Sequence, residues 1–332
     1  MKDWPYDDYA TGWYQIGASA SLKAGDVKPA KYFGQELVIF RGEDGALGVL
    51  DAYCRHMGAH LGFGKVVGSA VQCPWHGWQW NAQGENVLVP YMEGRLCPQK
   101  VARWHSREID GLMLLWYDAE GREPFWEWPG LPEFRDRENF YPIYPHGYRE
   151  IGPRKVMTQS QFENIADAHH FPYVHGAGSS GRFGRFETNG HHLLGEFHVL
   201  FGKDKGPTWM TPNGPTEGLI TSEHWGLGLG LARFNLEGRV TAQMISVTPV
   251  DMETSILYSS VACYRMPGDS GDVPTGTSKR MIEAQHQQIT HDFVIWENQK
   301  YVENPIYMGQ EERYYRQARE FAKQFYPKRK SP

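Results

Sequence analysis

Two short motifs constrain this chain more than any other feature: Cys54-Arg55-His56 and, after sixteen further residues, Cys73-Pro74-Trp75-His76. Each pair places a thiol and an imidazole on one loop, and the spacing allows the two loops to face each other. Any fold this chain adopts has to hold those loops together. Two thiolates and two imidazoles suit tetrahedral zinc, or a [2Fe–2S] cluster with one iron on cysteine and the other on histidine. The surroundings favour the cluster. Gly58, Gly62 and Gly64 follow the first pair and Gly77 the second, and glycine lets main-chain N–H groups approach sulfur closely. Trp75, Trp78 and Trp80 are expected to shield the group from water. Zinc on the same four residues is the alternative.

The chain has four cysteines, too few for a disulfide-stapled fold, and a paired arrangement in a cytosolic chain more often means metal. Cys97 and Cys263 have no ligand-spaced partner and read as ordinary buried thiols. His60 is surplus and is expected to contact main chain. The start, Met1-Lys2-Asp3-Trp4-Pro5, has no apolar signal core. No apolar run approaches the ~20 residues that span a bilayer, so a cytoplasmic protein is expected. The net charge is −5, with no basic block beyond Lys328-Arg329-Lys330, which argues against nucleic acid as a partner.

A second motif runs Glu163-Asn164-Ile-Ala-Asp167-Ala-His169-His170-Phe-Pro-Tyr-Val-His175. Residues 155–171 carry a helical pattern, so Asp167 and His170, three apart, are predicted to share a helix face. Pro172 ends the helix, and the turn can bring His175 back beside His170. Two neutral imidazoles and one carboxylate make the facial triad of non-haem Fe(II) oxygenases, which leaves positions open. Asp167 is one candidate carboxylate, but it is also placed to accept a hydrogen bond from a histidine. The better third ligand is Asp292, beside the apolar stripe Ile282, His286, Ile289, Phe293 and Trp296 of a predicted helix. A carboxylate there must be paired or bound to metal, and burial against Lys or Arg is the competing reading. His169 points about 100° away from His170 and ranks second to it. Asp167 and Asn164 are the candidate catalytic residues outside the ligand set.

At 332 residues the chain exceeds what one core usually serves, and two domains are expected. Aromatic residues make up 14% and charged residues 22%, a globular composition. Residues 1–125 read as an all-β domain, with apolar runs such as Glu36–Phe40 and Gly111–Tyr117 closed by turn clusters. Residues 122–150 look like a connector lying on the surface between domains. Residues 126–332 read as helix, then strands over 190–265, then helices over 278–300 and 311–325, giving an α+β fold. Gly226, Gly228 and Gly230 alternate with leucines, as on a strand with one small face. A large apolar pocket is expected, with Trp209, Met210, Leu231 and Phe234 among its candidate walls. Phe162, Trp225, Leu227 and Leu229 are further candidates.

Together, Cys54-Arg-His-Met-Gly58, Cys73-Pro-Trp-His76, Asp167-Ala-His-His170-Phe-Pro-Tyr-Val-His175 and Asp292-Phe-Val-Ile-Trp-Glu-Asn-Gln-Lys300 with Glu303-Asn-Pro305 resemble the Rieske non-haem iron oxygenases. Within them the chain is most similar to the oxygenase components of 3-ketosteroid 9α-hydroxylases, with cholesterol 7-desaturases behind. The resemblance implies a Rieske [2Fe–2S] cluster on Cys54, His56, Cys73 and His76, and a mononuclear Fe(II) on His170, His175 and Asp292. It implies that Asp167 bridges the iron site to the cluster of a neighbouring subunit in a head-to-tail homotrimer. It also implies a helix-grip catalytic domain and a separate NAD(P)H-dependent reductase. The expected reaction is O2-dependent hydroxylation, or oxidative demethylation, of a bulky apolar and steroid-like molecule. An arene dioxygenase α subunit and a non-catalytic Rieske electron carrier are the rival readings. The stretch 176–235 matches the steroid hydroxylases poorly, and it supplies pocket strands.

Overall fold

The computed structural model describes residues 4–202, 213–269 and 271–327. The N-terminal part builds three small antiparallel sheets. Their strands are β1 (Gly12–Ala18), β2 (Val27–Tyr32), β3 (Gln35–Arg41), β4 (Leu47–Asp51), β5 (Lys65–Val67), β6 (Ala70–Gln72), β7 (Gln79–Asn81), β8 (Asn86–Leu88), β9 (Ser106–Ile109) and β10 (Leu112–Tyr117). The sheets run β1-β10-β9, β2-β3-β4 and β5-β6-β7-β8. The strand-forming runs read in the sequence are the buried ones: Leu37, Val38, Ile39 and Phe40 of β3 and Leu112 to Leu115 of β10 are almost fully enclosed. Such continuous apolar runs suit strands covered on both faces. The four-stranded sheet carries the two Cys/His loops, one before β5 and one between β6 and β7.

The connector departs from expectation. Trp126, Trp128, Leu131, Phe134 and Ile143 are buried, and they join Trp13, Leu114, Leu229 and Met244 in one core. The short helix α1 (Pro132–Arg135) lies in this stretch. The segment is therefore an apolar filling between β1, β10 and the large sheet, not a surface strap. Its tryptophans are too costly to leave in water.

The C-terminal part is a seven-stranded antiparallel sheet with helices. Its strands are β11 (Tyr148–Arg154), β12 (Arg182–Asn189), β13 (His192–Phe201), β14 (Thr216–Trp225), β15 (Leu229–Leu236), β16 (Arg239–Pro249) and β17 (Ser255–Cys263), in the order β11-β17-β16-β15-β14-β13-β12. Helices α2 (Thr158–Glu163) and α3 (Phe171–Val174) precede most of the sheet. The long helix α4 (Gly276–Trp296) and α5 (Glu311–Lys323) follow it. Helix α4 lies across the sheet in the expected helix-grip arrangement, burying Ile282, His286, Ile289, Phe293 and Trp296 as the stripe predicts. Among the described residues no helix is long and apolar enough to cross a membrane.

Two further expectations are corrected. Gly226 and Gly228 sit in the turn joining β14 and β15, not on a strand. A Cβ at Gly228 would meet the Trp13 carbonyl at 2.4 Å and the Tyr14 ring at 2.5 Å, so glycine is needed for close approach. The helix predicted over 155–171 stops early. It holds from Thr158 to Glu163, tightens to a 3-10 turn over Asn164–Ala166, and ends where Asp167 turns extended (φ −108°, ψ 98°).

Candidate metal centres

The two Cys/His loops have the same main-chain design. Gly58 N–H donates to the Cys54 carbonyl (3.0 Å) and Gly77 N–H to the Cys73 carbonyl (3.2 Å). Cys54 N–H reaches the Ala59 carbonyl (2.9 Å) and Cys73 N–H the Trp78 carbonyl (2.8 Å). Both turns need a positive φ at the fourth residue after the cysteine, +73° at Gly58 and +72° at Gly77. These two glycines thus close the loops. Gly62 and Gly64 do other work: they let the chain pass against Pro29 and the Gln72 carbonyl. His60 caps the turn as expected, its Nδ1 accepting from Gly62 N–H (3.0 Å).

The loops bring four side chains together. The Cys54 and Cys73 thiols adjoin each other, and burial pushes the Cys54 thiol up. The His56 and His76 rings lie 4.6 Å apart. His56 stacks on Trp78 at 4.6 Å and 2°, and His76 on Trp75 at 4.6 Å and 30°. Trp80 is fully buried, whereas Trp75 is 59% exposed, so in one chain it covers His76 from one side only. His56 Nδ1 is buried without a hydrogen-bond partner, and the Trp80 indole N–H faces the Cys54 thiol. Two adjoining thiols, two imidazoles and an unpartnered ring nitrogen among them fit a group with polarisable acceptors. Cys263 is buried and its thiol is pushed up to about 12, while Cys97 is only half-buried.

The second centre lies between α2, α3 and α4. One ligand atom from each of His170, His175 and Asp292 falls within 4.8 Å of the others. The His170 and His175 rings are 5.0 Å apart at 75°, and His175 Nε2 lies 3.5 Å from Asp292 Oδ1. His170 Nδ1 is 2.9 Å from the Asp167 carbonyl oxygen. A carbonyl only accepts, so Nδ1 carries the proton and Nε2 is left with its lone pair. Asn164 hydrogen-bonds the Asp292 carboxylate. His169 is exposed and turned away from this group, as expected.

Asp292 decides between the competing readings of its carboxylate. It is 7% exposed, and among the described residues no Lys or Arg pairs with it. Burial drives its pKa up to about 7, against the pull of His170 and Asn164. Burial and the neighbouring histidines push His175 down to about 4. A buried carboxyl that resists ionisation, beside a neutral imidazole, fits a divalent cation: both donors gain a partner.

Asp167 does not share a helix face with His170, because the helix has ended. It holds the turn instead. Its Oδ1 accepts from the His169 and His170 amides (2.9 and 3.1 Å), and Oδ2 lies 3.6 Å from His170 Nδ1. Burial opposes its charge, but these bonds win and its carboxyl stays below the usual range. Tyr315 of α5 also reaches it, a contact between distant segments with no local sequence signal.

A cavity of about 500 Å³ opens from the second centre along α4. Its floor is a grid set by strand register: Ile220, Phe234 and Thr241; Ser222, Ala232 and Gln243; His224, Gly230 and Ile245. Phe234 lines it as expected, and Leu231 borders it but packs with Leu229 in the core on the other face of the sheet. Leu227 belongs to another core, Phe162 packs under α5, and Trp225 stacks on His192. Side chains alternate along a strand, so only one set of neighbours reaches the cavity. Trp209 and Met210 lie outside the described residues. Phe171, Phe197, Met281 and Trp296 also line it, and they went unread because helix and strand patterns show burial without showing against what.

A model of the 3-Ketosteroid 9alpha-hydroxylase C-terminal domain matches residues 115–326, and a model of the Rieske [2Fe-2S] domain matches residues 12–104. Cholesterol 7-desaturase nvd of Hemicentrotus pulcherrimus is 30% identical over 331 residues, which cover 90% of this chain but only 66% of that protein's length. The 3-ketosteroid-9-alpha-monooxygenase oxygenase component of Rhodococcus rhodochrous is 28% identical over 335 residues, covering 96% of this chain and 81% of that one. Among solved structures, apo Dicamba Monooxygenase shares the fold with a TM-score of 0.70 at 16% identity, over 94% of this chain and 97% of that one. The chain belongs to the Rieske non-haem iron oxygenases, in the group with a 3-ketosteroid 9α-hydroxylase C-terminal domain, and its cofactors are a Rieske [2Fe–2S] cluster and a mononuclear iron.

Proposed function

We propose that this chain is the terminal oxygenase of a Rieske monooxygenase system acting on a bulky, apolar, steroid-like substrate. The observation that carries the reading is His170, His175 and Asp292 gathered at one end of a largely apolar 500 Å³ cavity. That volume lies in the range of small-molecule sites. In this reading Cys54, Cys73, His56 and His76 hold the cluster in a domain of residues 1–125. His170, His175 and Asp292 hold the iron in a domain of residues 126–332. When bound, the iron supplies O2-dependent oxidation of a substrate C–H bond, using electrons that enter through the cluster.

The chain's own residues do the positioning. The Asp167 carbonyl fixes the His170 tautomer, and Asn164 orients the Asp292 carboxylate. Phe171, Phe197 and Trp296 exclude water, while the small side chain of Ala232 leaves room above the sheet for a ring system. A separate reductase and a cytoplasmic setting complete the scheme.

A homotrimer is part of the proposal, and exposed apolar side chains in two places support it. Met57, Phe63, Trp75 and Tyr91 stand out around the cluster loops, and Tyr173, Val294, Ile306 and Met308 near the second centre. Single exposed apolar residues need no explanation, but two groups beside the two centres suit a head-to-tail contact. The test is aerobic turnover of the reconstituted protein with a reductase and a panel of steroids, terpenoids and aromatic acids. Oxygenated steroid product supports the reading. Turnover of aromatic acids alone would transfer the assignment to the arene oxygenases, and two irons per chain with no turnover would leave an electron carrier.

A further inference from the structure

The cavity carries charge at its outer end as well as beside the second centre. Helix α4 and strand β16 run side by side along it. Near Asp292, Ile289 packs with Val247. Further out, Gln243 Nε2 donates to the Gln285 main-chain carbonyl (3.2 Å). Further still, Ile282 packs with Cys263, which pairs with Thr241 across the strands. Continued outward, the same alignment brings Arg239, the first residue of β16, to Thr277 in the first turn of α4, and both line the cavity. Arg239 alternates with its neighbours onto the face of Thr241, Gln243 and Ile245. From Thr277 to Asp292 the helix rises about 22 Å. Among the described residues, Arg239 is the one Lys or Arg that lines the cavity. Its Nη2 pairs with Glu237 of the preceding turn (2.7 Å), and its Nε and Nη1 meet no acceptor among the described residues. Beside it, Asn235 Oδ1 accepts from Gly238 N–H (3.1 Å), so the Asn235 NH2 is left to donate. Thr277 Oγ1 accepts from Arg280 (3.3 Å), so its O–H is left to donate too.

We propose that Arg239, Asn235 and Thr277 form a carboxylate subsite at the outer end of the cavity, so that the substrate is a polycyclic carboxylic acid whose rings reach inward toward His170, His175 and Asp292. This rests on the steroid-like reading above and narrows it. The three side chains offer N–H and O–H donors and one positive charge, and a carboxylate is the group whose two oxygens and charge match a guanidinium. The start of α4 has the same sign. Its first turn holds no acidic side chain and no side-chain cap, and Lys279 and Arg280 follow. A helix start so charged favours an anion. Two acids oppose it: Glu283, which lies 3.9 Å from Lys279, and Glu237, which competes for Arg239 directly. The Arg239 and Glu237 side chains are 27% and 34% exposed, so water and salt weaken the attraction. The length of the cavity separates the two ends. A single-ring acid held at Arg239 falls short of the second centre, whereas a fused polycycle with a short acidic tail spans the gap.

The experiment is calorimetric titration of the reconstituted holoenzyme, without reductase, with cholanic acid and its methyl ester, which differ in charge but not in ring system. Arg239→Gln should weaken the acid about fivefold, the size of one part-exposed ion pair, and leave the ester within about twofold. Glu237→Gln removes the competitor and should tighten the acid about two- to fivefold, again sparing the ester. Added salt should weaken the acid in wild type and lose that effect in Arg239→Gln. The visible absorption of the cluster reports that each variant is folded, and either variant suffices if the other fails to fold. Equal changes for acid and ester in the variants, or an acid affinity indifferent to salt, overturns the subsite and leaves the steroid-like reading in place. Failure of both probes to bind wild type overturns that reading, and the subsite falls with it.

Discussion

Asp292 is the residue on which the iron site turns. It is buried beside His175 and hydrogen-bonded by Asn164, and among the described residues no Lys or Arg pairs with it. Asp292→Ala should lose the mononuclear iron and all turnover, while the cluster's visible spectrum persists. Iron analysis should fall from three irons per chain to two. Retention of the third iron would assign the carboxylate elsewhere. His170→Ala should lose that iron as well, whereas His169→Ala should keep it, because the His169 ring faces solvent. Asn164→Ala should keep the ligands but lower iron affinity by about 10–100-fold, the usual effect of losing an orienting hydrogen bond. Metal titration of the stripped protein measures it.

At the scale of elements, the β14–β15 hairpin is held from both ends. At the turn, Gly228 lies against the Trp13 carbonyl, so Gly228→Ala should destabilise by about 1–3 kcal/mol, an overpacking cost against main chain. Denaturant titration reads it; no change in midpoint would show that β1 can yield. Along the hairpin, Arg233 of β15 pairs with Glu223 of β14 and with Glu133 of α1. Burial opposes the Glu223 charge, yet His192 and Arg233 hold its carboxyl below the usual range. The sign follows from that depression. The contribution is complete above the unfolded value of about 4.3 and is lost as pH falls through the lower folded value. Glu223→Gln should therefore cost roughly 1–3 kcal/mol at neutral pH. It should also flatten the loss of stability below about pH 4, as seen in denaturant midpoints across that range.

For the whole molecule, the two centres of one chain belong to different sheets and are tied by no shared loop. In the proposed homotrimer a neighbour's cluster would come to Asp167, whose accepting carboxylate is anchored by the His169 and His170 amides. Asp167→Asn should leave both metal centres filled and the oligomer intact, yet slow turnover severely. Single-turnover oxidation of the reduced cluster, with substrate and O2 present, is the measurement. Wild-type rates in the variant would route electrons elsewhere, and a fully active monomer in sedimentation would remove the inter-subunit scheme.

The cluster loops and the α4 stripe were legible in the sequence because their information is local. Ligands two or three residues apart, and apolar residues three and four apart, declare a loop or a helix face without reference to the rest of the chain. Asp292 was reachable for the same reason. Its partners were not: that no Lys or Arg among the described residues pairs with it, and that Asn164 approaches it, depend on how the turn after α2 meets α4. The end of the helix before Asp167, the turn at Gly226–Gly228 and the burial of Trp126 and Trp128 were likewise settled by contacts far apart in sequence. The cavity is the clearest case. Strand alternation predicts two faces for β14, β15 and β16, but only their mutual register decides that Gly230, Ala232 and Gln243 share a floor. Only the packing of α4 over that floor decides which face becomes a pocket and which becomes core.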